Sequence, residues 1–353
     1  MLEIIKNTLT NNEILGAIFS SVSIILLGFY LRKKEILNGQ ASKTISKLVL
    51  TVSLPALAFT SFMKDINGEE LHQGISILIW GFVIYILLIP ITKFMYSRVK
   101  GDKQDVYRVL TIFGSTTFFG TPIVTAVYGA VGAMYSNIFN IAYRVFLYSY
   151  AFIKMSGAKM DKENFKKNMK EVFLNPIILA TFLGLFIWLF QDKLPQVTIA
   201  VKDGTASYGF LRLDKTLPWF YKALDYLSKL ASPLSWICIG ATLAEIPMKK
   251  AIVQKDAWAY SLIKVMLIPV INFVLLLAVN KLGILPVSFE GMATTVIMMA
   301  APTATVAASY AISFDKESVF ASNCSLISTA VAVFAMPVWI IILEVIKNLG
   351  LFM

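Results

Sequence analysis

The chain has almost none of the residues that build metal sites and disulfide frameworks. Histidine occurs once, at His72, and cysteine twice, at Cys238 and Cys324, each inside an apolar segment. No CxxC pair and no histidine–cysteine cluster occurs, so the sequence gives no support for a bound metal. Buried cysteines in separate apolar segments are typical of small core residues, and we expect no disulfide between them.

The motifs of soluble enzymes are also missing. The sequence contains no phosphate-binding loop, no GxSxG elbow and no zinc motif. We therefore expect no enzymatic activity, no cofactor and no coupling to ATP hydrolysis within this chain.

Charge is scarce and apolar residues dominate. Charged residues make up 15% of the chain and hydrophobic residues 57%, with a mean hydropathy of +0.72, whereas soluble domains carry about 25% charged residues. Apolar runs of roughly 20 residues, the length that crosses a bilayer as a helix, recur throughout. The first run is longer than a signal-peptide core and lacks a small-residue cleavage pattern, so we take it as the first span. The sequence thus predicts an all-α integral membrane protein.

We predict ten membrane-spanning helices. Their expected bounds are residues 12–31, 42–63, 73–97, 106–128, 133–155, 173–191, 224–245, 257–280, 288–313 and 318–346.

The formal net charge of +11 reflects membrane orientation rather than a nucleic-acid partner. Lysine and arginine collect in the loops that follow the odd-numbered spans, whereas the loops after spans 2, 4 and 8 carry few of them. Basic loops mark the cytoplasmic side of a membrane protein. This predicts a multi-pass protein of the plasma membrane with both termini outside. The basic loops are residues 32–34, 98–103, 159–170 and 249–255.

Prolines recur in a pattern that indicates an internal duplication. Three prolines in spans 2 to 4 have counterparts in spans 7 to 9. The pairs are Pro55 and Pro233, Pro90 and Pro269, and Pro122 and Pro302, at offsets of 178, 179 and 180 residues. Because each copy has five spans, an odd number, the second copy enters the membrane inverted, as in many secondary transporters.

This duplication predicts the organisation of the chain. Residues 1–155 form the first five-helix repeat, residues 156–172 a basic cytoplasmic linker, and residues 173–353 the inverted second repeat. The second repeat carries an external loop, residues 191–222. Two runs in this loop, VTIAV and YGFLRL, flank a turn-like Lys202-Asp203-Gly204, which predicts a small β-hairpin.

Spans 4 and 9 contain residues that break helices. In FGSTTFFGTPIV, Gly120 is expected to end one half-helix, Thr121 to cap the next and Pro122 to occupy its first position. In MAAPTATVAAS, Pro302 marks the corresponding break. The free N–H groups at the start of each second half-helix would form a partly positive site in the membrane. The alternative is a simple proline kink without a ligand.

A few polar residues lie deep in the spans. Arg144 falls in the middle of span 5, one turn after Asn140, and no acidic residue is expected near the middle of spans 4, 5, 9 or 10. Arg144 either binds a carboxylate substrate, or its guanidinium bonds backbone carbonyls or extends to the cytoplasmic surface. Lys264 in span 8 is expected to reach the cytoplasmic surface. In span 10, Ser322, Asn323 and Ser325 face either the breaks or neighbouring helices.

Four segments give a family resemblance that covers nearly the whole chain. They are LVLTVSLPALAF in span 2, FGSTTFFGTPIV in span 4, ASPLSWICIGATLAE in span 7 and APTATVAASYAISFDKESVFASNCSLISTAVAVFAMP in spans 9 and 10. Together they resemble the auxin efflux carrier family, in particular its bacterial malate or malonate carriers. The resemblance implies two inverted five-span repeats, broken helices 4 and 9 that cross at the substrate, a dimer, and ATP-independent transport of organic anions.

The resemblance places the substrate at the two breaks, and the deep polar residues of spans 5 and 10 add candidates to this site, with Arg144 predicted from its depth in span 5. The expected residues are Ser115, Thr116, Thr117, Gly120, Thr121, Pro122, Asn140, Arg144, Ala301, Pro302, Thr303, Thr305 and Asn323. Two positions depart from the family pattern, because Ser115 and Thr303 stand where relatives often carry amide side chains. These shorter hydroxyls argue against auxin itself and favour a small carboxylate.

Three functions remain open at this point. The first is a secondary carrier that exports or exchanges small organic anions, for which the expected partners are that anion and the lipid bilayer. The second is a sodium-coupled symporter of the bile-acid type, which the lack of acidic residues in mid-span disfavours. The third is a membrane sensor that binds a ligand without transporting it. Sodium dependence distinguishes the first two, and flux distinguishes both from the third.

Overall fold

The chain is described by a computed structural model for residues 12–157, 173–201, 204–245, 254–350 and 352. Within these residues, six helical segments are long and apolar enough to cross a membrane, and residues Pro176–Phe190 and Phe289–Ala300 form shorter apolar helices. A mostly helical membrane protein is therefore confirmed, while the ten-span inverted repeat stays a prediction. The expected linker, residues 156–172, lies outside the described residues from position 158 onward.

The first part of the chain is helical with short interruptions. Its helices are α1 (Asn12–Lys33), α2 (Gly39–Leu48), α3 (Leu54–Thr60), α4 (Gly68–Met95), α5 (Gly101–Ile112), α6 (Thr121–Phe146) and α7 (Phe152–Ser156), with π-helical turns at Val49–Ser53, Thr116–Gly120 and Leu147–Ala151.

The second part adds a hairpin between helices. Its elements are α8 (Pro176–Phe190), β1 (Gln196–Val201), β2 (Gly204–Gly209), α9 (Leu213–Thr216), α10 (Pro218–Lys229), α11 (Ala231–Ala244), α12 (Lys255–Leu262), the π-helical turn Ile263–Leu267, α13 (Ile268–Lys281), α14 (Phe289–Ala300), α15 (Thr305–Ser313) and α16 (Ser318–Asn348).

The loop between residues 191 and 222 forms the predicted hairpin, but its second strand, Gly204–Gly209, includes only Tyr208 and Gly209 of the run YGFLRL. Strands β1 and β2 pair antiparallel, from Gln196 opposite Gly209 to Val201 opposite Gly204. Arg212, which follows β2, is almost fully buried and fastens the loop to the helices. Its guanidinium pairs with Asp65 at 2.9 Å and Asp214 at 2.8 Å and donates to the Gln191 side chain. The buried charge is thus compensated on several sides, as a buried guanidinium requires.

Prolines shape three of the helices through π-helical turns. Pro55, Pro122 and Pro269 each lie two residues after such a turn. Because proline has no N–H and its ring clashes with the carbonyl four residues earlier, it disrupts the regular α-helical ladder there. The amide of the residue before each proline donates instead to the carbonyl five residues back, as the Ile268 amide does to the Ile263 carbonyl. The proline pairs do not share one local structure, because Pro90 lies inside α4 whereas its counterpart Pro269 follows a π-helical turn.

Helix α6 consists of two arms that meet at Gly129. Gly129 has φ 59° and ψ −145°, a conformation that glycine adopts at low cost. A Cβ on Gly132 would lie 2.8 Å from the Val124 carbonyl oxygen and from the Val124 side chain. Residues eight positions apart are far from each other on a continuous helix. The chain therefore reverses at Gly129, between the segments expected as spans 4 and 5.

The helices pack as two bundles, and each bundle contains helices from both parts of the chain. The small bundle consists of α1, α2, α3, α8, α10 and α11, in which α1 packs along α11 and α3 packs on α8 and α10. The large bundle consists of α4 to α7 and α12 to α16, in which α4 packs on α6 and α12 on α16. Between the bundles, the Ser232 hydroxyl donates to the Pro122 carbonyl at 3.1 Å.

Ion pairs link the loops at the two ends of the molecule. At one end, Lys103 pairs with Asp256 at 2.9 Å, Arg32 with Glu245 at 3.1 Å, Lys154 with Asp105 at 3.0 Å and Lys316 with Asp102 at 2.9 Å. At the other end, Lys64 pairs with Glu70 at 2.6 Å. These groupings agree with the alternation of sides that the basic loops predict. Cys238 and Cys324 are free and buried, which confirms their expected core role.

The contact between α1 and α11 depends on glycine. A Cβ on Gly28 would lie 2.2 Å from the Ile237 carbonyl oxygen, and one on Gly240 would lie 1.9 Å from that of Ile25. Small residues let membrane helices approach closely enough to gain dispersion energy.

We expect Gly28→Ala to destabilise the protein by about 1–3 kcal/mol, because the added methyl group must separate the two backbones. Thermal unfolding of the purified protein in detergent measures this loss. Gly16→Ala is the matched control on the same helix, since a Cβ there meets nothing within 4 Å. Equal melting temperatures for the two variants would contradict the close packing.

Candidate functional site

The two broken segments cross and bond to each other through their backbones. Gly114 pairs with Thr303 in an isolated antiparallel bridge. The Ser115 amide donates to the Pro302 carbonyl at 2.6 Å, and the Ala304 amide donates to the Phe113 carbonyl at 2.9 Å. Non-helical backbone at membrane depth requires such internal partners. We call this contact, residues 113–115 against 302–304, the crossover.

The break in the first segment lies upstream of the expected position. Helix α5 ends at Ile112, and the chain resumes as a π-helical turn at Thr116. Gly120 has right-handed helical angles, φ −68° and ψ −54°, and the Thr121 amide donates to the Thr116 carbonyl. The prediction that Gly120 ends a helix and Thr121 caps the next is therefore wrong. Gly120 instead permits close packing, because a Cβ there would lie 2.7 Å from Met298 Sδ.

The break in the second segment lies where the sequence predicts it. Helix α14 ends at Ala300, and Ala301 and Ala304 have extended angles on either side of Pro302. Helix α15 begins at Thr305, whose side chain is exposed.

Asn140 joins the two ends of the π-helical turn Thr116–Gly120. The Thr116 hydroxyl donates to Asn140 Oδ1 at 2.6 Å, and Asn140 Nδ2 donates to the Thr121 hydroxyl at 3.3 Å. All three side chains are buried. The amide therefore satisfies two hydroxyls at once and fixes the irregular turn against α6.

Arg144 lies one turn further along α6 and faces the same turn. It is only 4% exposed, and its Nη2 donates to the Thr117 hydroxyl at 3.2 Å. Its Nη1 has no hydrogen-bond partner. In the described part of the chain, no carboxylate lies within 4.0 Å of this guanidinium. A buried arginine thus presents an unsatisfied donor beside Thr117.

The second break is held by two side chains that sequence reasoning missed. The Thr303 hydroxyl bonds the Tyr260 hydroxyl at 2.7 Å and accepts from the Ser328 hydroxyl at 3.0 Å. Ser328 Oγ also accepts from the Thr303 amide at 3.1 Å. Tyr260 and Ser328 come from α12 and α16, so two helices converge on one threonine in the second break. No local sequence signal indicates this, although hydroxyl residues in span 10 were noted.

Lys264 is also at the crossover, which contradicts the expectation that it reaches the membrane surface. Its side chain is fully buried, and its Nζ donates to the Met299 carbonyl at 3.3 Å. A Cβ on Gly114 would lie 3.1 Å from this nitrogen. The Lys264 amine therefore bonds the carbonyl end of α14 instead of reaching water.

Both second half-helices begin with amides that have no backbone acceptor. Among the described residues, the amides of Thr117 and Phe118 donate to no backbone carbonyl, and neither do those of Thr305, Val306 and Ala307. The first N–H groups of a helix carry a partial positive charge and attract anions. The crossover thus combines two such ends with the guanidinium of Arg144.

Most of the predicted site residues lie around the crossover, with one exception. Asn323 is half-buried on α16 but forms no hydrogen bond to either break in the described residues. Ser328, five residues later on the same helix, bonds the Thr303 amide in the second break, and the role of Asn323 in substrate binding stays a prediction.

This arrangement of broken helices agrees with a comparison to known families. The model of the membrane transport protein family matches residues 13–340. The chain belongs to this family. The match covers most of the chain and confirms the resemblance to auxin efflux carriers, and it identifies a membrane transporter rather than an enzyme.

Similar proteins are transporters by name. A protein of Methanothermobacter thermautotrophicus, described as an uncharacterized transporter, is 23% identical over 335 residues, which cover 92% of this chain and 97% of that protein. A protein of Rhizobium meliloti, whose name proposes malonate transport, is 22% identical over 247 residues, which cover 67% of this chain and 69% of that protein.

Gly114 allows the two broken segments to approach each other. A Cβ at this position would lie 3.0 Å from the Ala301 carbonyl oxygen. We expect Gly114→Ala to weaken the Ser115–Pro302 and Ala304–Phe113 hydrogen bonds and to destabilise the protein by about 1–3 kcal/mol. Thermal unfolding in detergent measures the effect. Gly68→Ala serves as the control, because a Cβ there meets nothing within 4 Å, and an equal response of both variants would count against the tight crossover.

Proposed function

We propose that this protein is a secondary transporter that exports small organic anions, carboxylates such as malonate or malate, by alternating access at the crossover. Membership of a transporter family supports the general function. The choice of anion and the mechanism rest on the chemistry of the crossover.

Arg144 carries the proposal. A buried guanidinium without an acidic partner is costly at membrane depth and is usually functional. Arg144 has one nitrogen bound to Thr117 and another without a partner. A carboxylate matches the planar fork of arginine with two parallel hydrogen bonds. A substrate carboxylate would therefore supply the missing negative charge and accept from Nη1.

The half-helix ends add a second source of anion affinity. The unbonded amides of Thr117 and Phe118 lie at the start of the π-helical turn whose Thr117 hydroxyl accepts from Arg144. Amides at helix N-termini bind carboxylates in this way. Ser115 and Thr305, which are partly or fully exposed, are suited to hydrogen-bond further oxygens of the substrate.

The topology and assembly expected from the sequence belong to the same proposal. We infer ten spans in two inverted repeats, a plasma-membrane location with both termini outside, and a homodimer. The ion pairs that group alternate loops at one end of the molecule support the alternation of spans. The name of the Rhizobium meliloti relative supports malonate as the first substrate to test.

Flux in sealed proteoliposomes tests the function. We expect labelled malonate loaded inside the vesicles to leave faster when potassium and valinomycin impose an inside-negative potential, because 100 mV contributes about 2.3 kcal/mol per charge moved. Sodium should not alter this rate. Sodium-dependent flux would instead favour a symporter, and specific malonate binding without flux would favour a sensor.

Replacing Arg144 tests the proposed substrate contact. We expect Arg144→Gln to weaken malonate binding at least about thirtyfold, because it removes one partner of a buried charged hydrogen bond. Arg144→Lys should recover part of the affinity, since it keeps the charge without the fork. The half-saturation concentration for flux measures both effects.

The matched control is Arg98→Gln, the same change at an exposed position beyond the end of α4. This variant should transport malonate as the unchanged protein does. If Arg144→Gln left both affinity and maximal flux intact, the proposed role of Arg144 would be wrong.

A further inference from the structure

Two helices end at the crossover with their carbonyl groups. Helix α5 stops at Ile112 and α14 at Ala300. The last carbonyls of a helix carry a partial negative charge of about half a unit. The crossover bonds satisfy carbonyls just beyond these ends, since the Phe113 and Pro302 carbonyls accept from the Ala304 and Ser115 amides. The remaining negative potential lies in apolar surroundings, where water does not screen it.

Lys264 places a cationic side chain at these carbonyl ends. Its Nζ is 3.3 Å from the Met299 carbonyl oxygen, in the last turn of α14. A Cβ on Gly114, which follows α5, would lie 3.1 Å from Nζ and 3.0 Å from the Ala301 carbonyl oxygen. The nitrogen therefore lies against both broken segments. In the part of the chain that the structure describes, no carboxylate lies within 4.0 Å of it.

The position of Lys264 is fixed by the helix that carries it. Lys264 belongs to the π-helical turn Ile263–Leu267, which precedes Pro269. Proline cannot donate to the carbonyl four residues before it, here Val265. The Trp339 indole replaces the missing backbone donor, because its Nε1 donates to the Val265 carbonyl at 3.0 Å. One turn before Lys264, Tyr260 bonds Thr303 at 2.7 Å. Contacts on both sides therefore hold the lysine at the crossover.

We propose that Lys264 is a tethered cation, which neutralises the carbonyl ends of both broken helices and takes the place that a soluble monovalent cation would otherwise occupy. The proposal rests on the proposed transport function for its role in the cycle, but the crossover contacts carry it independently. It follows that the unchanged protein needs no sodium or potassium at this place. It also follows that removing the amine leaves a site for a small monovalent cation.

The first test measures cation binding without any transport. Lys264→Ala is purified in detergent, and its thermal unfolding is followed in N-methylglucamine chloride and in the chlorides of sodium, potassium, ammonium and methylammonium. We expect one or more of the small cations to raise the melting temperature of this variant by about 2–4 °C. The unchanged protein should show no difference among these salts.

Two further variants separate charge from packing. Lys264→Met fills the space without a charge, so it should melt lower than the unchanged protein and show no response to cations. Lys281→Ala removes an exposed lysine at the end of α13 and controls for non-specific salt effects. A Lys264→Ala variant that melts like the unchanged protein, or one that melts lower and responds to no cation, would overturn the proposal.

The second test uses malonate flux in proteoliposomes. In N-methylglucamine, we expect the malonate flux of Lys264→Ala to be at least about tenfold lower than that of the unchanged protein. This is the size of effect that a charge at a partly buried helix end produces. The cation that stabilises the variant should restore part of this flux, and Lys264→Arg should retain part of it without added cation. Lys264→Met with unchanged flux would overturn the proposal even if Lys264→Ala does not fold.

The two tests also separate this inference from the proposed function. If the unchanged protein moves no carboxylate, the proposed function fails, but the melting experiment still decides whether Lys264 replaces a cation. If malonate flux is observed and Lys264→Ala shows neither loss nor cation response, only the inference about Lys264 fails.

Discussion

Every backbone polar group inside a membrane must find its partner within the protein, and the centre of this molecule is built around that constraint. Two helices stop in the apolar core, and the exposed groups at their ends are satisfied mainly by each other. Phe113 accepts from Ala304, and Pro302 accepts from Ser115. The Ser328 hydroxyl accepts a hydrogen bond from the Thr303 amide. These bonds leave two kinds of group without a backbone partner. The amides at the start of the second half-helices can bind an anion, and the carbonyl ends beside Lys264 can bind a cation.

Much of this architecture follows from local features of the sequence. Apolar runs mark the helices, and asparagine or serine caps begin several of them, as Asn67 does for α4 and Ser288 for α14. The Lys202-Asp203-Gly204 turn predicts the hairpin, and Pro302 predicts the second break. Each of these signals acts within a few residues, so no tertiary knowledge is needed to interpret it.

The first break shows where local signals become misleading. Gly120, Thr121 and Pro122 have the pattern of a helix end followed by a new start, but the chain remains helical there by widening into a π-helical turn. The actual break at residues 113–115 contains no proline. It forms because the segment after Pro302 lies opposite and offers backbone partners. A partner that is almost 190 residues away in the sequence leaves no trace in the local pattern.

The prediction for the Lys264 side chain is wrong for a related reason. Its distance from the helix end predicts that the side chain reaches water, which is the usual behaviour of lysine in a membrane helix. The structure provides a competing partner, since the carbonyl end of α14 lies against the same face of the helix. Tyr260 and Ser328 likewise gain their roles only through the meeting of α12, α16 and the second break. Arg144, by contrast, is singled out by its depth in span 5 alone, and the structure buries it.

The distribution of ion pairs has a consequence for any displacement of one bundle against the other. In the described part of the chain, most ion pairs between helices lie within one bundle, as Lys103 and Asp256 do in the large one and Arg32 and Glu245 in the small one, whereas Lys64 in the loop after α3 pairs with Glu70 of α4. Displacing one bundle against the other would therefore separate none of the charges that are paired within a bundle. Ions in the surrounding solution weaken exposed charge pairs. Here they would lower the stability of each bundle, whereas the energy barrier to moving one bundle against the other would change little with ionic strength.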